Sequence, residues 1–340
     1  MPVRLAEVAR HAGVSEATAS RVLSGRGYVS VQSRERVRAA VVELDYIPNR
    51  AATALSRSRT GTVALLVHHG QYPAGGEGTF ASRVVQGATR QLRDAGIDML
   101  YVDVGDDAVG RLDRLPAVGR SRSDGVIVLG PAFPPDALRQ LVGAGRPVVL
   151  IDNRVDDTPV AAVMAENKPA VEALTEHLIV EHGHRRIACI AGPPDWPSSA
   201  ERRAGYAAAL ASHGLPTRVV HATETTAHDG TAAVRHLGDD LPDAIVAVND
   251  AVAIGVLHGL RKVAEQPAVV GFDDIAWARL TDPPLTTVRV DAEFMGRRAA
   301  GLLLEQLESD GSRPPTTERI PAAPRFRGSC GCAPPHSDDL

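Results

Sequence analysis

Five polar residues stand directly after apolar runs that read as strands. Asp152 follows VVLI, Asn249 and Asp250 follow AIVAV, and Asp273 and Asp274 follow AVVGF. In open α/β sheets, ligands sit beyond the carboxyl ends of the strands. Carboxylates placed there can accept from adjacent hydroxyls, and Arg202 adds a planar donor fork. Such a set suits a sugar, a nucleoside or a similarly polar metabolite. The same residue types also cap helices and brace loops, and for Asp250 and Asp274 bracing is the expectation. Aromatic residues are only 4% of the chain, which makes Phe80, Trp196 and Trp277 conspicuous near these positions. Either tryptophan can stack on the apolar face of a sugar ring or simply pack at a cleft rim.

Other chemistry finds weaker support. Gly76, Gly78 and Ala81 spell G-x-G-x-x-A, the form of a dinucleotide fingerprint, and Asp103 lies at a later strand end. The first glycine of that fingerprint should follow its strand almost directly, whereas about nine residues intervene here. No nucleophile elbow or Ser/His/Asp order is evident, so no enzyme is expected. Cys330 and Cys332 form C-G-C beside the end APPHSDDL, which reads as a disordered tail, and Cys189 lies alone in an apolar run. No His or Cys cluster of zinc spacing accompanies the pair, so no metal and no cofactor are assigned.

The elements that must position the strand-end residues begin at Val63. Short apolar runs (VALLV, DMLYV, GVIVL, VVLID, RIACIA, AIVAV, AVVGF) alternate with amphipathic stretches such as RVVQGATRQLRDAG and VEALTEHLIVEHG. Nearly continuous apolar strands alternating with helices predict parallel sheets covered on both faces. There are more strands than one small sheet needs, and Asp152 to Val163 reads as a crossing region. Two doubly wound lobes with a cleft between them are expected.

The first sixty residues differ. They hold ten arginines against five acidic residues, +5, on a chain of net charge −4, so the remainder carries −9. A basic end on an acidic body fits a protein of which one end meets phosphates. Leu5, Val8, Ala9 and Ala12 recur at helical spacing until Gly13, and Ser15 is a good cap for a second helix, EATASRVL. A third helix runs from Ser30-Val31-Gln32-Ser33 through RERVRAAVVELDY, with Val37, Ala40, Val41 and Leu44 on one face and Pro48 as its stop. Two helices joined by a tight glycine turn, with a third packed across them, describe a helix-turn-helix.

The runs L-A-E-V-A-R-H-A-G-V-S-x-x-T-x-S-R-V-L, V-S-x-x-S-R-E-R-V and L-D-Y-I-P-N-R-A-A closely resemble the headpiece of the LacI/GalR family of repressors. The resemblance continues to about residue 329 through E-H-G-H-R-R-I-A-C-I-A-G-P, V-N-D-A-V-A-I-G, V-G-F-D-D and P-P-L-T-T-V. It implies a sequence-specific repressor with a body like that of periplasmic sugar-binding proteins, acting as a cytoplasmic homodimer on a palindromic double-stranded operator. Its effector would be a sugar or similar metabolite, with induction the default and corepression the alternative. A soluble sugar-binding protein would explain the body but not the headpiece. The resemblance places Ser15, Glu16, Ala17, Thr18, Ser20 and Arg21 at the DNA-facing start of the recognition helix, with Glu16 and Ala17 over base edges. It adds Ser30, Asn49, Arg50 and Ala52 as DNA contacts and Leu55 as a minor-groove wedge. It also implies that Asp152, Arg202, Asn249 and Asp273 line the effector cleft, with Phe80 as an aromatic wall. His177, His182 and His184 fall in a segment that the family shares for structural reasons.

The fold class is therefore an all-α headpiece followed by an α/β bilobed body. The headpiece spans 1–47, a hinge helix and linker 48–60, and the sensing and dimerising body 61–329. Within the body, one lobe takes 61–163 and 291–322 and the other 164–290 and 323–329, leaving 330–340 as a tail. No leucine heptads follow Gly328, which argues against a tetramerising coiled coil. The start MPVRLAEVARHAG lacks the apolar core of a signal peptide, and no apolar run is long enough to span a membrane.

Overall fold

The computed structural model describes residues 3–24, 28–46, 59–68, 78–238, 240–309 and 314–333, in two units, Met1–Thr60 and Gly61–Leu340. The first holds α1 (Leu5–His11), α2 (Glu16–Ser24) and α3 (Val31–Glu43) around Val8, Ala9, Ala12, Ala19, Val37, Ala40 and Tyr46. Gly13 turns the chain out of α1 at φ 64°, which an L side chain tolerates poorly, and Val14 N–H closes the end on Ala9 O at 3.0 Å. Ser15 then caps α2, its Oγ accepting from Thr18 N–H at 3.2 Å. Ser30 caps α3 in the same way, accepting from Ser33 N–H at 3.2 Å. Helix α3 stops at Glu43, earlier than its apolar period suggests. The stop is not Pro48 but Asp45, which takes φ 46° while Tyr46 N–H reaches back to Val41 O at 2.9 Å. Tyr46 thereby swings into the core. The hinge positions Asn49, Arg50, Ala52 and Leu55 lie outside the described residues.

The body holds two six-stranded sheets. The first has the order β11-β5-β4-β3-β1-β2 and is parallel throughout, from β1 (Thr62–His68), β2 (Asp98–Val104), β3 (Gly125–Leu129), β4 (Val148–Ile151), β5 (Ala161–Ala165) and β11 (Thr317–Ile320). The second has the order β12-β10-β9-β8-β6-β7, from β6 (Ile187–Ala191), β7 (Arg218–His221), β8 (Ala244–Ala247), β9 (Ala268–Asp273), β10 (Thr286–Val290) and β12 (Ala322–Arg325). Among the described residues, only β12 runs antiparallel to its neighbour, pairing Val288 with Pro324. Strands β3, β4, β5, β6 and β8 are buried at every residue, as strands covered on both faces must be.

Helices α4 (Phe80–Asp94), α5 (Pro135–Gly143) and α10 (Ala292–Glu308) cover the first sheet, and α6 (Asn167–Val180), α7 (Pro197–Ser212), α8 (Ala227–Leu237) and α9 (Asp250–Leu260) cover the second. Helices α4 and α10 meet backbone to backbone. A Cβ at Gly87 would fall 1.9 Å from Glu293 O, and one at Gly296 would fall 2.0 Å from Val84 O, so no larger residue fits there. The chain passes between lobes three times, at Glu166, Asp291 and Pro321. The crossing expected over Asp152 to Val163 is thus displaced, because Ala161–Ala165 is a full strand of the first sheet. Its alanine-rich sequence hides a strand that is nonetheless buried throughout.

The tail expected from residue 330 does not begin there. Cys330 closes a tight turn, Gly328–Cys330, and is 1% exposed, pinned because Ser329 Oγ accepts from Thr286 N–H at 2.7 Å. His177 and His182, more than 140 positions away in the sequence, lie against Cys330 and Cys332, so a His/Cys cluster does accompany the pair. No helix among the described residues is long and apolar enough to cross a membrane.

Candidate functional site

A cleft opens between the lobes where the strands of both sheets end. Its walls include Phe80, Asp152, Trp196, Arg202, Asn249 and Asp273, which the sequence places at strand ends or helix starts. Phe80 opens α4 directly after the Thr79 cap, Trp196 is the residue before α7, and Asn249 caps α9 with Oδ1 accepting from Val252 N–H at 2.9 Å. Asn249 therefore both braces and lines. Trp277 does not join them and is 59% exposed. It sits in the 3₁₀ turn Ala276–Arg279, whose period of three turns Ile275 toward the cleft and buries Ala278, leaving the indole outside.

Arg202 is the hub of the cleft and is buried. Its Nε donates to Asn167 Oδ1 at 2.9 Å, one terminal nitrogen donates to Val248 O at 2.7 Å, and the other faces Asp273 Oδ1 at 3.7 Å. The guanidinium lies 3.7 Å over the Phe272 ring, a stacked contact that a lysine could not reproduce. Asp152 accepts from Ser198 Oγ at 3.0 Å through Oδ2, while its Oδ1 is buried with no hydrogen-bond partner among the described residues. Burial pushes the Asp273 carboxyl up to about 7 and that of Asp152 up to about 6, against the opposing pull of the Arg202 cation on both. Both aspartates also hold positive φ, 115° and 57°, a strain that surrounding structure must impose. Asp250 and Asp274 brace instead. Asp250 accepts from Thr287 Oγ1 and from Ile275 N–H, and Asp274 accepts from Arg327 at 2.5 Å.

Sequence reasoning missed Ser198, Ser199, Thr225 and Ile275 in the walls. The first two lie in the opening turn of α7 behind Pro197, a helix-start signal that would have found them. It also missed Glu201, whose carboxylate accepts from Arg154 at 2.7 Å, from Arg319 at 2.7 and 2.8 Å, and from Asn167 at 3.1 Å. Arg154 follows β4 and Arg319 lies in β11, so this network crosses from the first lobe to α7 in the second. At a separate contact between the lobes, Gly78 O accepts from Ala276 N–H at 3.2 Å. Gly78 takes φ 76°, and a Cβ there would fall 2.6 Å from that of Ala276, so this glycine answers to an interlobe contact rather than to a phosphate.

In the first unit, Ser15, Glu16, Ala17, Ser20 and Arg21 are exposed along one side of α2 and Thr18 is half-buried, while Ala19 faces the core. An exposed, short-side-chain helix start after a tight turn is what a major groove can admit. A helix-turn-helix unit carried with a two-lobed body that has a polar cleft defines a DNA-binding regulator.

Comparisons place it further. Residues 4–49 match the family described as bacterial regulatory proteins, lacI family, and residues 175–330 match the periplasmic binding protein-like domain. The HTH-type transcriptional regulator CelR of Thermobifida fusca is 36% identical over 90% of this chain and 92% of its own length. A crystal structure of the lac repressor dimer bound to operator and an anti-inducer superposes with a TM-score of 0.82 at 27% identity, over 97% of this chain and 99% of that one. A CelR–cellobiose complex superposes at 0.71 with 32% identity, over 96% of this chain and 99% of that one. The chain belongs to the lacI family of bacterial regulatory proteins and is a DNA-binding transcriptional regulator.

Proposed function

We propose that this regulator is a repressor that binds a palindromic operator as a homodimer in the cytoplasm and is released by a sugar or similar polyhydroxylated metabolite in the interlobe cleft. The cleft binds and does not catalyse. What carries the reading is the buried, unpartnered Oδ1 of Asp152 opposite Asp273 and Arg202. A buried acceptor without a partner costs roughly 1–3 kcal/mol, and a ligand hydroxyl would recover it. Trp196 and Phe80 offer apolar faces for the ring. The CelR–cellobiose complex and the operator-bound lac repressor dimer support the ligand class and the assembly. In this division of labour residues 1–47 read DNA, 48–60 couple the units and 61–329 sense. Effector binding changes the angle between lobes, and only a difference in affinity for the two arrangements can drive that change. A thermal-shift screen against sugars, polyols and nucleosides, followed by operator gel shifts with each hit, tests the proposal. A hit that weakens operator binding supports induction; a hit that strengthens it replaces induction with corepression.

Glu16 and Ala17 give the headpiece a stated preference. A glutamate can accept from cytosine N4, and an alanine can pack on a thymine methyl. Selection from random DNA should therefore return a half-site with a cytosine beside a thymine, and Glu16→Gln should lose the cytosine at a cost of about 1–3 kcal/mol. An unchanged selected site would show that Glu16 serves only its helix end.

The effector's pH dependence follows from the cleft. Ligand hydroxyls donate to ionised carboxylates, whereas burial holds Asp152 and Asp273 partly protonated up to about 6 and about 7. Binding should then release protons, and affinity should rise as pH goes from about 5 to about 8. Calorimetry in buffers of different ionisation heat reads this directly. A flat profile would remove the carboxylates from the binding event.

A further inference from the structure

We propose that His177, His182, Cys330 and Cys332 form a structural site for one zinc ion at the end of the second lobe remote from the cleft. The four side chains come from the last turn of α6, the loop after it and the chain around the Gly328–Cys330 turn. Their ligand atoms all lie within 4.8 Å of one another. His177 Nε2 and His182 Nε2 are 3.1 Å apart, Cys332 Sγ is 3.3 and 3.4 Å from these two nitrogens, and Cys330 Sγ is 3.8 Å from that of His177. A zinc ion with Zn–N of about 2.0–2.1 Å and Zn–S of about 2.3 Å requires tetrahedron edges of roughly 3.3 Å between nitrogens and roughly 3.6 Å between nitrogen and sulfur. These four edges scatter about those values, and the remaining pairs, within 4.8 Å, need Cys330 Sγ to move inward as the ion binds.

The surroundings agree with a ligand set rather than a chance meeting. Gly331 takes φ 101° and a Cβ there would lie 3.2 Å from His182 Nδ1, so the residue between the cysteines must be small and left-handed for both sulfurs to face the imidazoles. Thr286 Oγ1 lies 3.1 Å from Cys330 Sγ, a hydroxyl donor for a thiolate. The His177 ring stacks on Phe326 at 3.8 Å, which fixes its plane. Two thiolates and two neutral imidazoles cancel the charge of a divalent ion, and the borderline-soft donor set selects zinc over magnesium or calcium. Four protein ligands leave no open position, which marks a structural site.

The placement gives the ion its task. His177 lies before β6 and Cys330 beside Thr286 at the start of β10, at the amino edge of a sheet whose carboxyl edge borders the cleft. His177 and Cys332 are 155 positions apart, so the ion fastens the first helix of the lobe to its last turn. It holds the lobe together without touching the effector.

Full-length protein purified under reducing conditions without chelator should carry about one zinc per chain by elemental analysis, and Cys332→Ser should carry almost none. His184→Ala, which alters a neighbouring imidazole outside the set, should keep its zinc. After zinc removal, the wild-type chain should take up cobalt(II) with the strong visible bands of a tetrahedral dithiolate site, and its melting temperature should be lower until metal is restored. The cobalt spectrum decides the matter even if the serine variant fails to fold. No uptake of zinc or cobalt by the wild-type chain, a Cys330–Cys332 disulfide in its place, or undiminished binding by Cys332→Ser would each overturn the proposal.

Discussion

Asp273→Asn should lower effector affinity about 100-fold while leaving operator binding nearly unchanged. Hydrogen bonds to a charged acceptor contribute about 1.5–3 kcal/mol each, and about 3 kcal/mol corresponds to roughly two orders of magnitude in dissociation constant. Asparagine is the appropriate replacement because residue 273 holds φ 115°, where alanine would add backbone strain to the lost charge. Arg202 keeps its bonds to Asn167 and Val248 in this variant, so the cleft floor stays in place. Trp196 in the wall supplies the readout, since a Trp277→Phe background removes the only other, exposed indole. Loss of operator binding at the same site would place Asp273 in the coupling between the units instead of in ligand recognition.

Arg202→Met should destabilise the body, and by an amount that depends on pH. The substitution leaves Asp152 and Asp273 buried without their cation, and breaking a buried pair in this way costs roughly 3–5 kcal/mol. For a body of this size that is a fall of about 6–15 °C in the unfolding midpoint. The sign of the pH effect comes from the raised carboxyls. In the folded chain they keep protons to about 6 and about 7 that the unfolded chain releases near 3.8, so stability falls as pH rises across that interval. Without Arg202 the carboxyls hold their protons to still higher pH, and the loss continues further. The gap between variant and wild type should therefore be small at about pH 5 and large at about pH 8. A pH-independent gap would mean that Arg202 acts through packing on Phe272 alone.

Much of this arrangement is legible in the sequence because the physics is local. A strand buried on both faces must be an apolar run, and the first polar residue after it, Asp152 or Asp273, falls at the sheet's carboxyl edge. Asn249 is legible twice, as a helix cap and as a cleft residue. The rest depends on geometry that spacing does not encode. Which of Ile275 and Trp277 faces the cleft turns on a three-residue period in a turn too short to show one. The end of α3 turns on Asp45 adopting a left-handed conformation, which competes with a helical pattern that runs on through Tyr46. The meeting of His177 and His182 with Cys330 and Cys332 needs the whole second lobe to close first. Glu201 sits on an amphipathic helix like any solvent-facing acid, and only the fold brings Arg154 and Arg319 to it. Those hydrogen bonds outweigh the burial that would otherwise raise its carboxyl, and hold it below its ordinary value.

Strands β11 and β12 lie only one residue apart, at Thr317–Ile320 and Ala322–Arg325, yet each is the edge strand of a different sheet. During synthesis the headpiece, whose core is gathered from residues 8–46, can close as soon as it emerges. The first lobe cannot be completed until Ile320 has left the ribosome, nor the second until Arg325, so one short segment completes both. A nonsense or frameshift mutation anywhere between Thr60 and Thr317 would leave an intact DNA-reading unit on an unfinished sensor. Such products should be cleared by proteolysis rather than persist as unregulated repressors, so truncating alleles of this gene should behave as simple losses of repression.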